Sequence, residues 1–153
     1  MSIQKIGVIG AGTMGNGIAQ VCAVAGLQVT MIDISEEAVQ RGLKTLAGSL
    51  ERLVKKEKLT PSDRESALAR VHGATDYAAL KGVNLVIEAA TENIELKLRI
   101  LKRIDEVVAE ETVIASNTSS MAITQRAAGG KRPERVIGMR FFNPVPMLAL
   151  LEL

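Results

Sequence analysis

The feature that most constrains this chain is a glycine-rich turn near its start. The turn carries Gly10, Gly12 and Gly15 in the spacing G-x-G-x-x-G. An apolar segment that reads as a β-strand precedes it, a helical segment follows, and a second apolar strand ends at Asp33. A strand, this turn, a helix and a second strand with a terminal acid together predict a dinucleotide-binding unit.

Each glycine has a mechanical reason in such a unit. Gly10 permits the tight turn that leaves the strand, Gly12 lets a pyrophosphate approach the backbone, and Gly15 lets the helix pack closely on the sheet. The helix N-terminus then offers unpaired N–H groups and a partial positive charge to the phosphates. The alternative is a glycine-rich turn that serves packing only, and the ordered succession of strand, helix, strand and acid argues against it.

Asp33 predicts which dinucleotide binds. A carboxylate at this position can accept hydrogen bonds from both hydroxyls of an adenosine ribose, whereas its charge repels a 2′-phosphate. The next residue is Ile34, not an arginine that would bind that phosphate. We therefore expect NAD rather than NADP. A methyltransferase on a similar sheet is disfavoured, because Gly15 and Asp33 are spaced for a dinucleotide.

The rest of the chain alternates between apolar strands and amphipathic helices. This alternation predicts an α/β fold with a doubly wound, mostly parallel Rossmann sheet of about six strands in the order 3-2-1-4-5-6. The further strands are expected near 70–74, 83–88, 112–115, 135–141 and 147–153, and the further helices near 36–58, 61–70, 92–110 and 123–128. Ligands of such sheets bind at the carboxyl ends of the strands, where Ala89, Ala90 and the polar segment 116–120 should join the glycine turn.

The helices at 36–58 and 61–70 form a hairpin that is longer than an ordinary crossover. Ser35 is a predicted N-cap for the first helix, and Thr60 followed by Pro61 predicts the start of the second. A basic cluster closes the first helix at Lys55, Lys56 and Lys58. This cluster either contacts a substrate or is a solvated helix end, and both interpretations remain open at this point.

Composition excludes several classes of function. The chain has 153 residues, which suits one domain, and a formal net charge of +2 with 2% aromatic residues gives no reason to expect nucleic acid or a membrane as partner. The single cysteine, Cys22, cannot form an internal disulfide and reads as a core residue of a cytoplasmic protein. His72, the only histidine, is expected to be structural or at the surface, and no metal site is predicted.

Three motifs together resemble one known family. They are the segment 10–19 with its Gly-x-Gly-x-Met-Gly opening, the run Ser-Asn-Thr-Ser-Ser at 116–120, and Phe-Phe-Asn-Pro-Val-Pro at 141–146. The chain resembles the NAD-binding half of the L-3-hydroxyacyl-CoA dehydrogenases and is closest in style to bacterial 3-hydroxybutyryl-CoA dehydrogenases. The resemblance covers the whole chain. It implies hydride transfer between NAD and the 3-carbon of an acyl-CoA, and a late antiparallel strand at 147–153.

The resemblance also assigns roles to individual residues. It implies that Asn117 and Ser119 face the nicotinamide and the reacting carbon, that Glu152 orients the catalytic base, and that Ser49 and Lys56 touch coenzyme A. The candidate cofactor-binding residues are Gly10, Gly12, Thr13, Met14, Gly15, Asp33, Ala89, Ala90, Glu92, Lys97, Asn117, Ser119 and Asn143.

Two departures from the family pattern limit the expected activity. The catalytic histidine of the family stands immediately before Phe-Phe-Asn-Pro, and here that position is Arg140, a permanently charged group that cannot exchange a proton near neutral pH. The family also continues into a helical domain for substrate binding and dimerisation, which residues 1–153 do not include. We therefore expect the chain to bind NAD(H) with little or no turnover.

Two further hypotheses compete with a 3-hydroxyacyl-CoA dehydrogenase. One is a dinucleotide-binding module without catalysis, natural or engineered. The other is a dehydrogenase of the 3-hydroxyisobutyrate or 6-phosphogluconate type, which shares the Gly-x-Met-Gly opening but lacks the motifs at 117–120 and 141–146 and uses a lysine base.

Overall fold

Six parallel strands build the sheet in the computed structural model, which describes residues 3–91, 93–117 and 136–139. The strand order is β3-β2-β1-β4-β5-β6, and every neighbouring pair is parallel. The strands are β1 Lys5–Ile9, β2 Gln28–Ile32, β3 Val71–Ala74, β4 Leu85–Glu88, β5 Val113–Asn117 and β6 Val136–Met139. The predicted Rossmann order is confirmed, and the chain reverses its direction of winding between β1 and β4.

Helices cover the sheet and connect its strands. They are α1 Thr13–Val24, α2 Glu36–Lys55, α3 Pro61–Ala69 and α4 Ile94–Val107, with a short 3-10 turn at Tyr77–Leu80. None of the helices in the described ranges combines the length and the apolarity that a bilayer crossing requires.

The two central strands are buried on both faces, as the apolar run at 83–88 predicted. Val8 and Ile87 face the core under α1, α2 and α3, whereas Ile9 and Val86 face the core under α4. Successive side chains of a strand point to opposite faces, so a strand between two helical layers must be apolar at nearly every position. Cys22 lies in the first of these cores with no exposed surface, and its predicted core role is confirmed.

The helical hairpin begins as its sequence predicts. The Ser35 hydroxyl accepts a hydrogen bond from Ala38 N at 3.1 Å, and the Thr60 hydroxyl accepts one from Asp63 N at 3.0 Å. The first helix ends at Lys55 rather than at residue 58, because Glu57 adopts a left-handed backbone with φ of 59°. This conformation satisfies the last carbonyls of the helix and turns the chain towards α3.

Further predicted boundaries are wrong by two or three residues. The fourth helix does not begin at Glu92, because the Asn93 side chain accepts a hydrogen bond from Leu96 N at 3.0 Å and so caps a helix that starts at Ile94. It ends at Val107 rather than at residue 110, since the next residue is extended. Strand β5 does not end at residue 115, because pairing with β6 continues it to Asn117. The helix predicted at 123–128 and the late strand predicted at 147–153 lie outside the described residues.

Candidate functional site

The three glycines of the turn meet different surroundings. Gly10 has φ of 109°, and a Cβ there would lie 2.9 Å from the Ala89 carbonyl oxygen. A Cβ on Gly15 would overlap the Gly10 carbonyl oxygen, whereas one on Gly12 would meet no atom within 4 Å. Gly10 and Gly15 are therefore required by the fold. Gly12 is not, and the open space beside it is where a diphosphate can approach the backbone.

The start of α1 suits an anion. Gly12 is the N-cap residue, so no capping side chain bonds to the first N–H groups, and the first turn holds no acidic residue. Unpaired N–H groups at a helix N-terminus carry a partial positive charge and bind phosphates. The local sequence thus leaves this helix end available to a ligand.

Asp33 joins the tip of β2 to the glycine-rich turn. Its Oδ2 atom accepts a hydrogen bond from Ala11 N at 2.8 Å, and its Oδ1 atom accepts one from Ile34 N at 2.7 Å. Each carboxylate oxygen has a second lone pair, so both can still accept a hydrogen bond from a ribose hydroxyl. The backbone holds the carboxylate in position beside the turn, as recognition of an adenosine ribose requires.

One cavity of about 280 Å³ brings these features together. It lies between the glycine-rich turn, Asp33 and the first half of α2, and its lining residues are Ala11, Gly12, Thr13, Asn16, Asp33, Ala38, Arg41, Gly42 and Thr45. Amide groups for phosphate and a carboxylate for ribose hydroxyls share this cavity. Its donor set therefore fits the adenosine diphosphate part of NAD.

Six of the lining residues were not predicted from the sequence, namely Ala11, Asn16, Ala38, Arg41, Gly42 and Thr45. The Asn16 side-chain amide donates to the Gly42 carbonyl oxygen, and a Cβ on Gly42 would lie 2.8 Å from the Ala11 Cβ. Helix α2 therefore lies directly against the turn, and this contact brings Arg41 and Thr45 to the cavity. The available signal was Gly42 itself, since a glycine inside a helix is unfavourable by about 1 kcal/mol and often marks a close approach.

A buried polar network lies at the carboxyl ends of strands β4 and β5. Glu88 Oε1 accepts hydrogen bonds from Lys97 Nζ at 2.7 Å and from Ser116 Oγ at 2.6 Å, and Glu88 Oε2 accepts one from Ala90 N at 2.8 Å. The three side chains are at most 1% exposed. Glu88 was not predicted as a site residue, although an acid at the end of an apolar strand was a usable signal. Lys97 lies at the predicted edge, buried against Glu88, and its contact with the cofactor stays a prediction.

The structure locates several other predicted residues. Ala89 and Ala90 follow β4 beside Gly10, and Met14 is half-buried in the first turn of α1. Ser49 is half-buried on α2, one turn beyond Thr45, whereas Lys56 is the exposed C-cap.

Asn117 is the last residue of β5. The remaining predicted site residues lie outside the described part of the chain, namely Glu92, Ser119, Arg140, Asn143 and Glu152. Their roles stay predictions.

His72 and Cys22 take no part in the cavity beside Asp33. His72 is exposed on the edge strand β3 and lines a second cleft of about 320 Å³ that also contains Lys5 and Lys81. Burial raises the pKa of the Cys22 thiol to about 12. Within the described ranges, no group of three or more histidine, cysteine or acidic side chains is arranged to hold a metal ion.

The sequence and the fold of the chain match those of known proteins. Residues 5–153 match the family described as 3-hydroxyacyl-CoA dehydrogenase, NAD binding domain. The chain is 45% identical over 151 residues to a 3-hydroxybutyryl-CoA dehydrogenase of Bradyrhizobium diazoefficiens, covering 99% of this chain and 52% of that protein. It is 44% identical over 152 residues to the 3-hydroxyadipyl-CoA dehydrogenase of Escherichia coli K12, covering 99% of this chain and 32% of that protein. The crystal structure of (S)-3-hydroxybutyryl-CoA dehydrogenase from Ralstonia eutropha matches with a TM-score of 0.93 at 62% identity, over 97% of this chain and 53% of that one.

These matches agree with the geometry of the site. The chain spans about half the length of the 3-hydroxybutyryl-CoA dehydrogenases reported above. The shared half contains the glycine-rich turn and the Asp33 cavity, and the prediction of NAD as cofactor is confirmed at the level of the family. The chain belongs to the 3-hydroxyacyl-CoA dehydrogenase family, of which it is an NAD-binding domain.

Proposed function

We propose that this chain is the cofactor half of an NAD-dependent dehydrogenase that interconverts 3-hydroxyacyl-CoA and 3-ketoacyl-CoA, of the 3-hydroxybutyryl-CoA type. The observation that carries the proposal is the cavity that joins the phosphate-binding turn to Asp33, in a domain that such dehydrogenases match almost throughout. NAD, when bound, supplies a nicotinamide ring that accepts or returns a hydride at the 3-carbon of the substrate.

Different residues of the chain bind different parts of that cofactor. The amides at Gly12 and the start of α1 bind the diphosphate, and the Asp33 carboxylate binds the ribose hydroxyls. Ala89 and Ala90 are small and leave room for the cofactor over the end of β4. We propose that Asn117, the last residue of β5, and Ser119 contact the nicotinamide.

Arg140 limits what the chain can catalyse. Oxidation of a 3-hydroxyl group releases a proton, and a base must take it as the hydride leaves. A guanidinium has a pKa above about 12 and no lone pair to offer, so Arg140 cannot be that base. Loss of general acid–base catalysis typically lowers the rate by about 10²- to 10⁴-fold. We therefore propose that the chain alone binds NAD(H) with little or no turnover.

The substrate side of the site is proposed from the family. Ser49 and Lys56 on the α2 side of the hairpin are the candidate contacts for coenzyme A. The acyl group is a separate matter, because relatives at 45% and 44% identity are named for a hydroxybutyryl and a hydroxyadipyl substrate, respectively. We propose that the acyl pocket and the dimer contacts belong to a second, helical domain, and that the enzyme acts in the cytoplasm.

One assay tests the proposal. NADH fluorescence is titrated with the purified chain, and NADH oxidation is followed with acetoacetyl-CoA as substrate. Saturable binding without measurable turnover is expected. Ordinary turnover by the chain alone would overturn the proposed inactivity, and absence of NADH binding by a folded sample would overturn the proposed function.

Arg140→His separates the two causes of inactivity. Partial recovery of acetoacetyl-CoA reduction assigns the defect to the missing base, and no recovery assigns it to residues that a second domain supplies. Parallel assays with 3-hydroxyisobutyrate test the other dehydrogenase type, for which no rate is expected with either variant.

A further inference from the structure

Arg41 is a cation on the wall of the cofactor cavity. It lies in α2 and is exposed, and the same cavity is lined by Gly12, Thr13 and Asp33. In the part of the chain that the structure describes, no ion pair or hydrogen bond holds its guanidinium. Glu37, one turn earlier on the helix, forms no salt bridge with it, so the guanidinium is available to a ligand.

Its position in the helix is set by backbone packing. The bond from the Asn16 amide to Gly42 O and the close approach of Gly42 to Ala11 hold this turn of α2 against the glycine-rich turn. Thr45 Oγ1 donates back to the Arg41 carbonyl oxygen at 3.0 Å, within the same helix. The backbone that carries Arg41 therefore has a defined position relative to the phosphate-binding amides.

The charge of the site gives Arg41 a role. The diphosphate of a dinucleotide brings two negative charges into a cavity that already holds the Asp33 carboxylate. Amides and a helix dipole offset about half a charge. A guanidinium presents several donors in a planar fork that matches phosphate oxygens, and such charge-assisted hydrogen bonds are the stronger ones.

We propose that Arg41 is a cofactor-binding residue that contacts the diphosphate of the bound dinucleotide from α2, opposite the amides of the glycine-rich turn. This inference rests on the proposed cofactor binding and adds to it a side-chain ligand for the phosphates. It assigns the cavity face of α2 at Arg41 to the dinucleotide and leaves the far end, at Ser49 and Lys56, to coenzyme A.

The test compares Arg41→Ala with Lys44→Ala. Lys44 is an exposed cation on the same helix that does not line the cavity. NADH, ADP-ribose and adenosine are titrated at low and high ionic strength. Arg41→Ala is expected to lower the affinity for NADH and for ADP-ribose by about tenfold, which is the effect of losing one charge-assisted hydrogen bond. The affinity for adenosine, which has no phosphate, should change little. Lys44→Ala should change each affinity less than twofold, and Arg41→Lys should recover part of the loss. The difference between wild type and Arg41→Ala should shrink in high salt.

Several results would overturn the inference while leaving the proposed function intact. One is equal NADH affinity for Arg41→Ala and Lys44→Ala. Another is an equal loss for adenosine and ADP-ribose, which would mean that Arg41 shapes the cavity wall rather than binding phosphate. A loss of coenzyme A binding with unchanged NADH binding would assign Arg41 to the substrate. A folded wild-type chain that binds no NADH would remove the proposed function as well. Thermal unfolding of each variant verifies that it is folded.

Discussion

At the level of single residues, the glycines of the glycine-rich turn have different structural roles. The spacing of Gly10, Gly12 and Gly15 identifies the turn, but only their surroundings show what each residue does. Gly10 needs its positive φ, and Gly15 needs the absence of a Cβ next to the Gly10 carbonyl group. Gly12 has φ of −74° and open space around it, so the fold itself would accept a side chain there. The ligand is what restricts Gly12.

Gly12→Ala and Gly15→Ala should therefore separate stability from binding. Gly12→Ala is expected to lower the free energy of unfolding by about 1 kcal/mol or less, the usual preference for glycine over alanine at an N-cap. It should weaken NADH binding by about tenfold or more, because its methyl group enters the space of the diphosphate. Gly15→Ala is expected to destabilise by about 3 kcal/mol through overpacking. Urea unfolding and NADH titration measure both quantities. Equal destabilisation by the two substitutions would support the alternative in which the turn serves packing only.

At the scale of elements, two side-chain contacts assemble the carboxyl edge of the sheet. The Asn16 bond to Gly42 attaches α2 to the glycine-rich turn. The Glu88–Lys97–Ser116 network connects the end of β4 to α4 and β5. The second contact also orients Ala90 through its N–H group, so the strand ends that face the cofactor are held together by a buried charge pair. Breaking such a pair leaves a charge uncompensated in a low-dielectric interior.

Glu88→Gln tests this network. The substitution retains the size of the side chain but removes the negative charge 2.7 Å from the Lys97 ammonium. We expect the free energy of unfolding to fall by about 3 kcal/mol, the lower part of the range for a broken buried pair. The control is Glu95→Gln, an exposed carboxylate in the first turn of α4, where the change should stay below about 1 kcal/mol. Denaturant unfolding of both variants provides the comparison, and equal values would mean that the buried pair adds nothing to stability.

At the scale of the whole molecule, two cores enclose the sheet and isolate ionisable groups from water. Cys22 is the clearest case, because its thiol is fully buried under α1 and its pKa is raised from 9.0 to about 12 by desolvation. A thiol with so high a pKa is neither a nucleophile nor a metal ligand near neutral pH. Cys22 thus contributes to packing, in agreement with the prediction from composition.

The raised pKa of Cys22 predicts how stability changes with pH. Below about pH 9 the thiol is protonated in both the folded and the unfolded chain. Between pH 9 and 12 the unfolded chain loses this proton and the folded chain retains it, so the free energy of unfolding falls as pH rises. Other groups also titrate there, and Cys22→Ala isolates the contribution because the variant should lose less stability over this interval. Parallel curves for the two proteins across that interval would contradict the burial of the thiol.

The amino-acid sequence alone was enough to predict the fold class, the strand order and the kind of ligand. Alternating apolar segments, the glycine spacing and the acid at position 33 are signals that act within a few tens of residues. Capping residues such as Ser35 and Thr60 were readable for the same reason, since their bonds close within one helical turn. The boundaries of α4 and β5 were less accurate. The start of α4 is set by the side-chain cap at Asn93, and the end of β5 depends on its pairing with a distant strand.

The side chains that complete the site could be identified only from the packing of the folded chain. Arg41 and Gly42 reach the glycine-rich turn because α2 packs on it, and Glu88, Lys97 and Ser116 meet because three different elements end at one edge of the sheet. The local sequence around each of these residues does not indicate which distant residue it contacts. These contacts depend on how closely the helices pack and on which charges become buried. Both are properties of the assembled sheet and helices rather than of any one segment.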